Sequence, residues 1–328
     1  MKQNILTPQF YLVAIFVLVT SPVLLAQQPA SETLQQRINS PSQTTALPTV
    51  PPSATANSDL GEIGVVQTYP KPEMFTLSTS QQFFYTDNVF YTSQKTGTVG
   101  SLAYLGSYTA SYVPYSLRDW TPRITLQYNM VRYNSVAAGD FDNENAAFSS
   151  QYVFGGDRSW TWGSSATLAN FTDPHANDHQ FYKEVVYDNQ ISNVQQICKS
   201  VPIFFVAAYD LAYHQASPAI FDRLDNSLSL SFVFYPIPEL SISPYFRPGA
   251  RTYFVNGTYF PNGTFTGGIV QSDREDFNLA VGLDVTYQPW KYVSISADFT
   301  HVNDYSNNSY LGYSDTQPGV SVTGTIKF

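Results

Sequence analysis

The sequence predicts an all-β fold, a transmembrane up-and-down antiparallel β-barrel of about twelve strands. Segments in which apolar and polar residues alternate recur from residue 73 to the end of the chain. Only 12% of the residues are charged, whereas 16% are aromatic. The connections between segments alternate between short turns and longer polar loops. These features favour a barrel in a membrane over a soluble sandwich, which has no reason to segregate its loops by length.

The segment 318–328 shows the alternation without a break. Val320, Val322 and Ile326 share one face with the terminal Phe328, and serine, threonine and lysine occupy the other face. Because side chains alternate along a strand, the apolar face is expected to contact lipid and the polar face to line the lumen. A closing strand that ends in phenylalanine is typical of bacterial outer-membrane barrels. We therefore expect Phe328 to be part of the assembly signal for the barrel-assembly machinery.

The same alternation places the other strands. The sixth segment is the weakest, because its outward positions include Lys183 and Asn189, so a count of ten or fourteen strands stays open. The predicted strands are 74–85, 101–113, 123–134, 145–154, 159–171, 180–193, 201–214, 226–235, 240–254, 276–287, 292–303 and 318–328.

The amino terminus predicts export. Lys2 precedes an apolar stretch over 10–25, and Ala26 offers a cleavage point, so residues 1–26 are interpreted as a signal peptide. The length of the apolar run leaves an uncleaved anchor helix as an alternative. Residues 27–72 are rich in Ser, Thr, Pro and Gln and predict a disordered periplasmic linker. A plug folded into the barrel is the rival, but it would require patterned apolar residues. Residues 73–328 are the predicted barrel.

Composition limits the function. The chain has 16 basic and 25 acidic residues, a net charge of −9, and no basic face for nucleic acid. Soluble domains average about 25% charged residues, and a broad uncharged band around a barrel accounts for the deficit. The 24 tyrosines and 23 phenylalanines suit girdles at the boundary between lipid and water. No cofactor or metal is expected.

Two short motifs carry a resemblance. The sequence FFYTDNVFYT over 83–92, with GTIKF at the carboxyl end, resembles the β-barrel porins of Gram-negative bacteria, whose first strand often ends in a similar Asp-Asn turn. The resemblance implies a barrel in the cell outer membrane. Such a barrel would contact outer-membrane lipid and lipopolysaccharide. The family is poorly defined in function, so the resemblance names no solute.

Ionisable residues in the polar phase are the candidate lumen residues, because charge on the lipid face is costly. A selectivity ring is one interpretation, in which arginines favour anions and carboxylates favour cations. The other is a closed network in which the charges pair and fill the barrel. Strand number does not decide between them. The candidates are Arg123, Asp210, His214, Arg247, Arg251, Asp284 and Asp298.

Passive passage of small polar solutes or ions is the leading functional hypothesis. The alternatives are an outer-membrane hydrolase and a structural or polysaccharide-export-associated barrel. A hydrolase needs a nucleophile beside a base, and His214 near Ser217 is the nearest local pairing.

Two loop motifs have simpler interpretations beside the functional ones. Asp173, His175, Asp178 and His179 could bind a divalent cation or form an ordinary solvated loop. The sequences Asn-Gly-Thr at 256 and 262 match the glycosylation pattern or mark turns.

Overall fold

The computed structural model describes residues 74–91, 93, 97–117, 119–156, 159–175, 179–198, 202–259, 269–308 and 310–328. The predicted signal peptide and linker lie outside the described residues. No helix in the described part of the chain has the length and apolar character of a membrane span. The strands are β1 (Phe75–Thr86), β2 (Ser101–Tyr112), β3 (Trp120–Tyr133), β4 (Phe141–Phe154), β5 (Trp160–Asp173), β6 (His179–Cys198), β7 (Ile203–Ser217), β8 (Arg223–Ile237), β9 (Leu240–Tyr253), β10 (Gly257–Tyr259), β11 (Ile269–Gln271), β12 (Glu275–Trp290), β13 (Val293–Ser306) and β14 (Tyr313–Lys327). Two short 3₁₀ helices span Ala137–Gly139 and Ala219–Phe221.

Twelve of these strands form a closed antiparallel barrel, which confirms the predicted fold. Each barrel strand pairs with its neighbours along the chain, and β1 pairs with β14 to close the ring. The short strands β10 and β11 form a separate hairpin in the connection from β9 to β12. We call the end where β1 begins and β14 finishes the terminal end, and the opposite end the distal end.

Several strands extend beyond their predicted limits. β6 continues to Cys198, five residues beyond the predicted end at 193, and β8 begins at Arg223 rather than at residue 226. β14 begins at Tyr313, five residues before the predicted start at 318. In β8 and β14 the added residues at the distal end include charged side chains that point inward. The strands continue there because their backbone pairing continues, although the apolar alternation has stopped.

The outer surface carries an apolar belt. Val320 on β14 is 55% exposed, and Leu283 on β12 is 40% exposed. Aromatic pairs border the belt. Phe75 stacks on Tyr112 at the terminal end with ring centroids 4.7 Å apart, and Phe277 stacks on Tyr305 at the distal end at 6.5 Å. An apolar band between two aromatic borders is the surface that a barrel presents to a bilayer.

The contacts that join β1 to β14 change from one end of the barrel to the other. Backbone pairing between β1 and β14 runs from Thr76 opposite Lys327 to Phe84 opposite Gly319, and it ends where Pro318, which has no N–H group, is reached. Beyond that point side chains replace the ladder. The Asp87 carboxylate accepts a hydrogen bond from the Thr316 amide at 2.9 Å. The Asp-Asn turn at Asp87 and Asn88 therefore holds β14 against the end of β1 in the distal part of this seam.

Candidate functional site in the barrel lumen

The seven candidate lumen residues all lie at strand positions whose side chains point into the barrel. Asp284 on β12 lies directly opposite Asp298 on β13, and the two alternate with exposed apolar residues of the same strands. Arg123 lies opposite Ser149 near the terminal end and is exposed to solvent. His214 and Arg251 lie near the distal end, where they are buried. The candidates therefore share one surface but lie at three different heights.

Charged side chains pack together at the distal end. His214 is 1% exposed, with Nδ1 3.1 Å from Glu184 Oε2 and Nε2 3.3 Å from Asp225 Oδ2. The Arg223 Nε donates to both carboxylate oxygens of Asp225 at 3.2 Å. Both nitrogens of the histidine ring thus face carboxylates within the wall. We call the side chains of Glu184, His214, Arg223, Asp225, Arg251 and Asp304 the distal network.

Arg251 connects the distal network to the far side of β12. Its Nε lies 3.8 Å from Asp225 Oδ2, and its Nη1 lies 3.7 Å from Asp304 Oδ1 on β13. Nearby, the guanidinium of Arg274 contacts the Asp276 carboxylate at 2.6 Å and lies 4.2 Å from the ring centroid of Tyr253. Burial of these charges is acceptable only because opposite charges meet there. This arrangement agrees with the closed-network interpretation for His214 and Arg251.

The distal lumen also contains an apolar group, which the sequence did not predict. Phe84 and Val131 point inward and are 1% and 0% exposed. Val89 and Phe90, from the connection after β1, pack against them, so this connection folds into the distal mouth. We call this group the distal apolar cluster. It contains Phe84, Val89, Phe90, Ala103, Leu105, Val131, Tyr133, Phe141, Ala169, Phe171, Phe181, Tyr182, Ala216, Phe221 and Leu311.

The middle of the wall is polar. The Gln190 side-chain amide donates to Asp210 at 2.6 Å, and the Gln82 amide donates to Asp298 at 2.9 Å. Asp210 also interacts electrostatically with Arg247. Within the described part of the chain, the middle wall bears the carboxylates of Asp188, Asp210, Asp284 and Asp298 and the guanidinium of Arg247. This level is where a permeating ion would meet protein charge.

The wall of β2 to β4 contributes uncharged polar groups at the same level. The Ser107 hydroxyl donates to Asn129 at 2.7 Å, and the Asn129 amide donates to Asn143 at 3.0 Å. A smaller apolar group, Phe204, Val206, Val233 and Tyr235, lines β7 and β8 toward the terminal end. The lumen is therefore polar at mid-height, with apolar patches at both ends.

The structure separates the pair proposed for a hydrolase. His214 points inward and is buried, whereas Ser217, three residues later, has the opposite phase and is exposed. An odd spacing in a strand places two side chains on opposite faces. In the loop group, the His175 ring contacts Asp140 at 2.8 Å. Asp178 and the His179 side chain lie outside the described residues. Among the described residues, no group of three His, Cys, Asp or Glu side chains could hold a metal ion.

Several lumen residues escaped the sequence analysis. Arg223, Asp225 and Asp304 lay outside the predicted strands. Glu184 and Asp188 lay in the sixth strand, whose register was in doubt. The signal that could have found them is the inward phase, continued past the last apolar residue of each strand.

A closed barrel with an apolar belt and a polar lumen is a transmembrane β-barrel of the outer-membrane type. The structure is similar to an outer-membrane channel from Pseudomonas putida F1, with a TM-score of 0.49 and 12% identity over 81% of this chain and 99% of that one. It is also similar to the β domain of the Bordetella autotransporter BrkA, with a TM-score of 0.44 and 9% identity over 76% and 99% of the two chains. For the KdgM porin the values are 0.39 and 7%, over 75% and 98%. The sequence matches no protein-family model. No curated protein matches it either.

Proposed function

We propose that this chain is an outer-membrane barrel through which small polar solutes or ions pass passively. The observation that carries the proposal is the charged and hydrogen-bonding wall at mid-height, inside a ring whose outer face is apolar. A wall of this kind replaces part of the hydration shell of a solute that enters it.

The wall charge favours cations over anions. The arginines of the distal network lie beside carboxylates, so their charge is largely balanced where they stand. At mid-height the carboxylates of Asp188, Asp210, Asp284 and Asp298 outnumber the Arg247 guanidinium among the described residues. Rings of carboxylates attract cations, and arginines attract anions. We therefore infer a moderate cation preference, which Arg247 reduces.

One observation favours a second candidate, a structural barrel without a conducting lumen. The distal apolar cluster and the distal network both place buried side chains in the distal mouth, and they meet where the Tyr182 hydroxyl donates to Glu184 at 2.9 Å. Side chains that pair across a lumen stabilise the barrel and narrow any path through it. A structural or export-associated role would make use of that stability alone.

Conductance of the reconstituted protein tests the proposal. The full chain, purified in detergent and shown to be folded by heat-modifiable gel migration, is inserted into planar bilayers or liposomes. Stepwise currents would support a pore. A folded barrel that gives neither current nor solute flux would contradict the proposal and favour the structural role. Release of fatty acid from the liposome lipid without current would contradict it in favour of a hydrolase.

A further inference from the structure

The lipid-facing side of β6 carries a polar residue in the middle of its apolar run. Asn189 is exposed, and its neighbours on the same face, Tyr187 and Ile191, are 47% and 39% exposed. The next exposed polar residues on this face are Lys183 and Gln195, six residues away on either side. At about 3.3 Å per residue and a strand tilt of about 40°, each lies about 15 Å from Asn189 in depth. Asn189 therefore lies near the middle of the apolar band, which is about 25 Å tall in such barrels.

The register of β6 is regular at Asn189, so a shift of phase does not explain the polar residue. Asn189 lies opposite Ser164 on β5 and Leu211 on β7. Within the described part of the chain, neither the Asn189 amide nor the Ser164 hydroxyl has a hydrogen-bond partner. An amide in an apolar medium is costly unless it is hydrogen-bonded. Lipid at this depth consists of acyl chains, which neither donate nor accept, so a partner for the amide has to come from protein.

Two other outward amides of the belt are paired within the chain. On β1, the Gln81 amide donates to the Thr79 hydroxyl at 2.9 Å and accepts a hydrogen bond from Tyr104. On β8, Asn226 accepts a hydrogen bond from the Tyr209 hydroxyl at 2.9 Å. An amide is thus found on the lipid face where a neighbouring side chain satisfies it. The outward amide of β6 lacks such a neighbour, which points to a group outside the chain.

We propose that the face of β5 to β7 around Asn189 is an interface with a second copy of this chain. A two-fold axis along the membrane normal would place Asn189 beside the partner's Asn189. Because a carboxamide has both donors and an acceptor, each amide would donate to the carbonyl oxygen of the other. Such a reciprocal pair satisfies both side chains, and two-fold dimers are the commonest symmetric assemblies. The interface is independent of whether the lumen conducts.

The surfaces on the two sides of Asn189 differ in height. On the β5 side, Ser164 and Ala166 have short side chains, whereas on the β7 side Leu211 and Tyr209 are 36% and 44% exposed. Because a two-fold rotation exchanges the two sides, β7 of one copy faces β5 of the other. The leucine and tyrosine of one barrel would then pack over the serine and alanine of its partner. Small residues let membrane-spanning segments approach closely, which the reciprocal amide pair requires.

The association state of the full-length protein tests this proposal. The protein is purified in a mild detergent, and its mass is measured by sedimentation equilibrium over a range of protein-to-detergent ratios. We expect an equilibrium between monomer and dimer. Asn189→Leu should weaken the dimer by about tenfold, as expected when hydrogen bonds between membrane-spanning segments are lost. Asn189→Gln, which keeps the donors and the acceptor, should retain the dimer.

Gln81→Leu is the matched control, because Gln81 is an outward amide that is already paired and lies nearly opposite β6 in the ring. It should leave the dimer unchanged. It should also lower the unfolding temperature of the barrel, because it removes hydrogen bonds within the chain. Asn189→Leu should not lower that temperature, since it removes an amide that has no partner in the monomer. The contrast separates association from folding.

Cysteine cross-linking locates the axis in the outer membrane. In a Cys198→Ser background, Asn189→Cys should give a disulfide-linked dimer on mild oxidation, and Gln81→Cys should not. A protein that stays monomeric at every ratio would overturn the proposal. A dimer that Gln81→Leu weakens and Asn189→Leu does not would also overturn it. Cross-linking of Asn189→Cys to a different outer-membrane protein would show that the occupant of this face is not a second copy.

Discussion

Arg251 on β9 lies 3.7 Å from Asp304 on β13, so one ion pair spans the intervening strand β12. The same guanidinium reaches Asp225 on β8 at 3.8 Å. The Arg251 side chain thus links β8, β9 and β13, although β9 and β13 are not adjacent in the sheet. Its removal should be felt as lost stability rather than as altered permeation.

Arg251→Gln should therefore lower the free energy of unfolding by about 3 kcal/mol, because it removes one of the cations that balance the buried carboxylates of Asp225 and Asp304. Thermal or denaturant unfolding in detergent, followed by gel migration, measures this. Arg123→Gln, at an exposed lumen position, is the control and should change stability by less than about 0.5 kcal/mol. Equal effects of the two variants would contradict the role assigned to the distal network.

Arg247→Gln should move the reversal potential in a salt gradient toward stronger cation preference, since it removes the positive charge beside Asp210. The current through single barrels is the measurement. The double variant that also carries Arg251→Gln should add little to the shift, because Arg251 lies in the distal network. A reversal potential that stays constant while the barrel folds and conducts would place Arg247 off the ion path.

Asp284→Asn combined with Asp298→Asn should have the opposite effect and weaken cation preference. The two carboxylates are direct cross-strand neighbours, and like charges in such positions repel. The double variant should therefore be at least as stable as the wild type while it loses selectivity. A loss of stability without a change in selectivity would mean that the pair belongs to the structural framework.

Gly282→Ala should destabilise the barrel by about 1 to 3 kcal/mol through overpacking. A methyl group at this position would overlap the Tyr245 ring and the Phe299 carbonyl oxygen. Tyr245 in turn shares a hydrogen bond of 2.6 Å with Thr300. Gly324→Ala is the control, because the nearest atom to its new methyl group, Thr79 Cγ2, is 3.8 Å away. If both variants unfold at the same temperature, the packing around Gly282 is looser than the structure indicates.

Deletion of Phe328 should slow assembly in cells with a smaller effect on the stability of the folded protein. Phe328 is 63% exposed, and its amide donates to the Phe75 carbonyl at 2.9 Å, so it is accessible at the terminal end. The amount of heat-modifiable protein in isolated outer membranes after pulse labelling reports assembly. Lys327→Gln serves as a control. Normal assembly of the deletion variant would rule out the signal role.

The barrel was predictable because alternation is strong wherever one face of a strand meets lipid. Phe277 and Leu283 are two of many apolar residues that mark the outer face of β12. The distal network was not predictable to the same extent. Near Arg223 and Asp304 the outer face is no longer uniformly apolar, so the pattern that reveals inward residues fades where the charged ones begin. The partners of each charge are set by tertiary register, which local spacing does not contain.

The distal apolar cluster escaped prediction for a related reason. Phe84 occupies an inward position of β1, and a large apolar residue there suggests a shift of phase when it is judged from the sequence alone. Its packing partner Phe90 comes from a connection whose path is fixed only in the folded barrel. The inward face of a barrel can thus be apolar wherever a connection folds into the mouth.

The seam between β1 and β14 is closed by backbone hydrogen bonds over most of its height and by side-chain hydrogen bonds at its distal end. Tyr313 to Pro318 have backbone partners on β13 only, while the link to β1 consists of side chains such as Asp87. Under lateral tension the rim should part there before any continuous ladder yields. A change in membrane thickness or curvature that stretches the distal end would then separate β1 from β14 at this point. The barrel would open at the seam rather than evenly around its circumference.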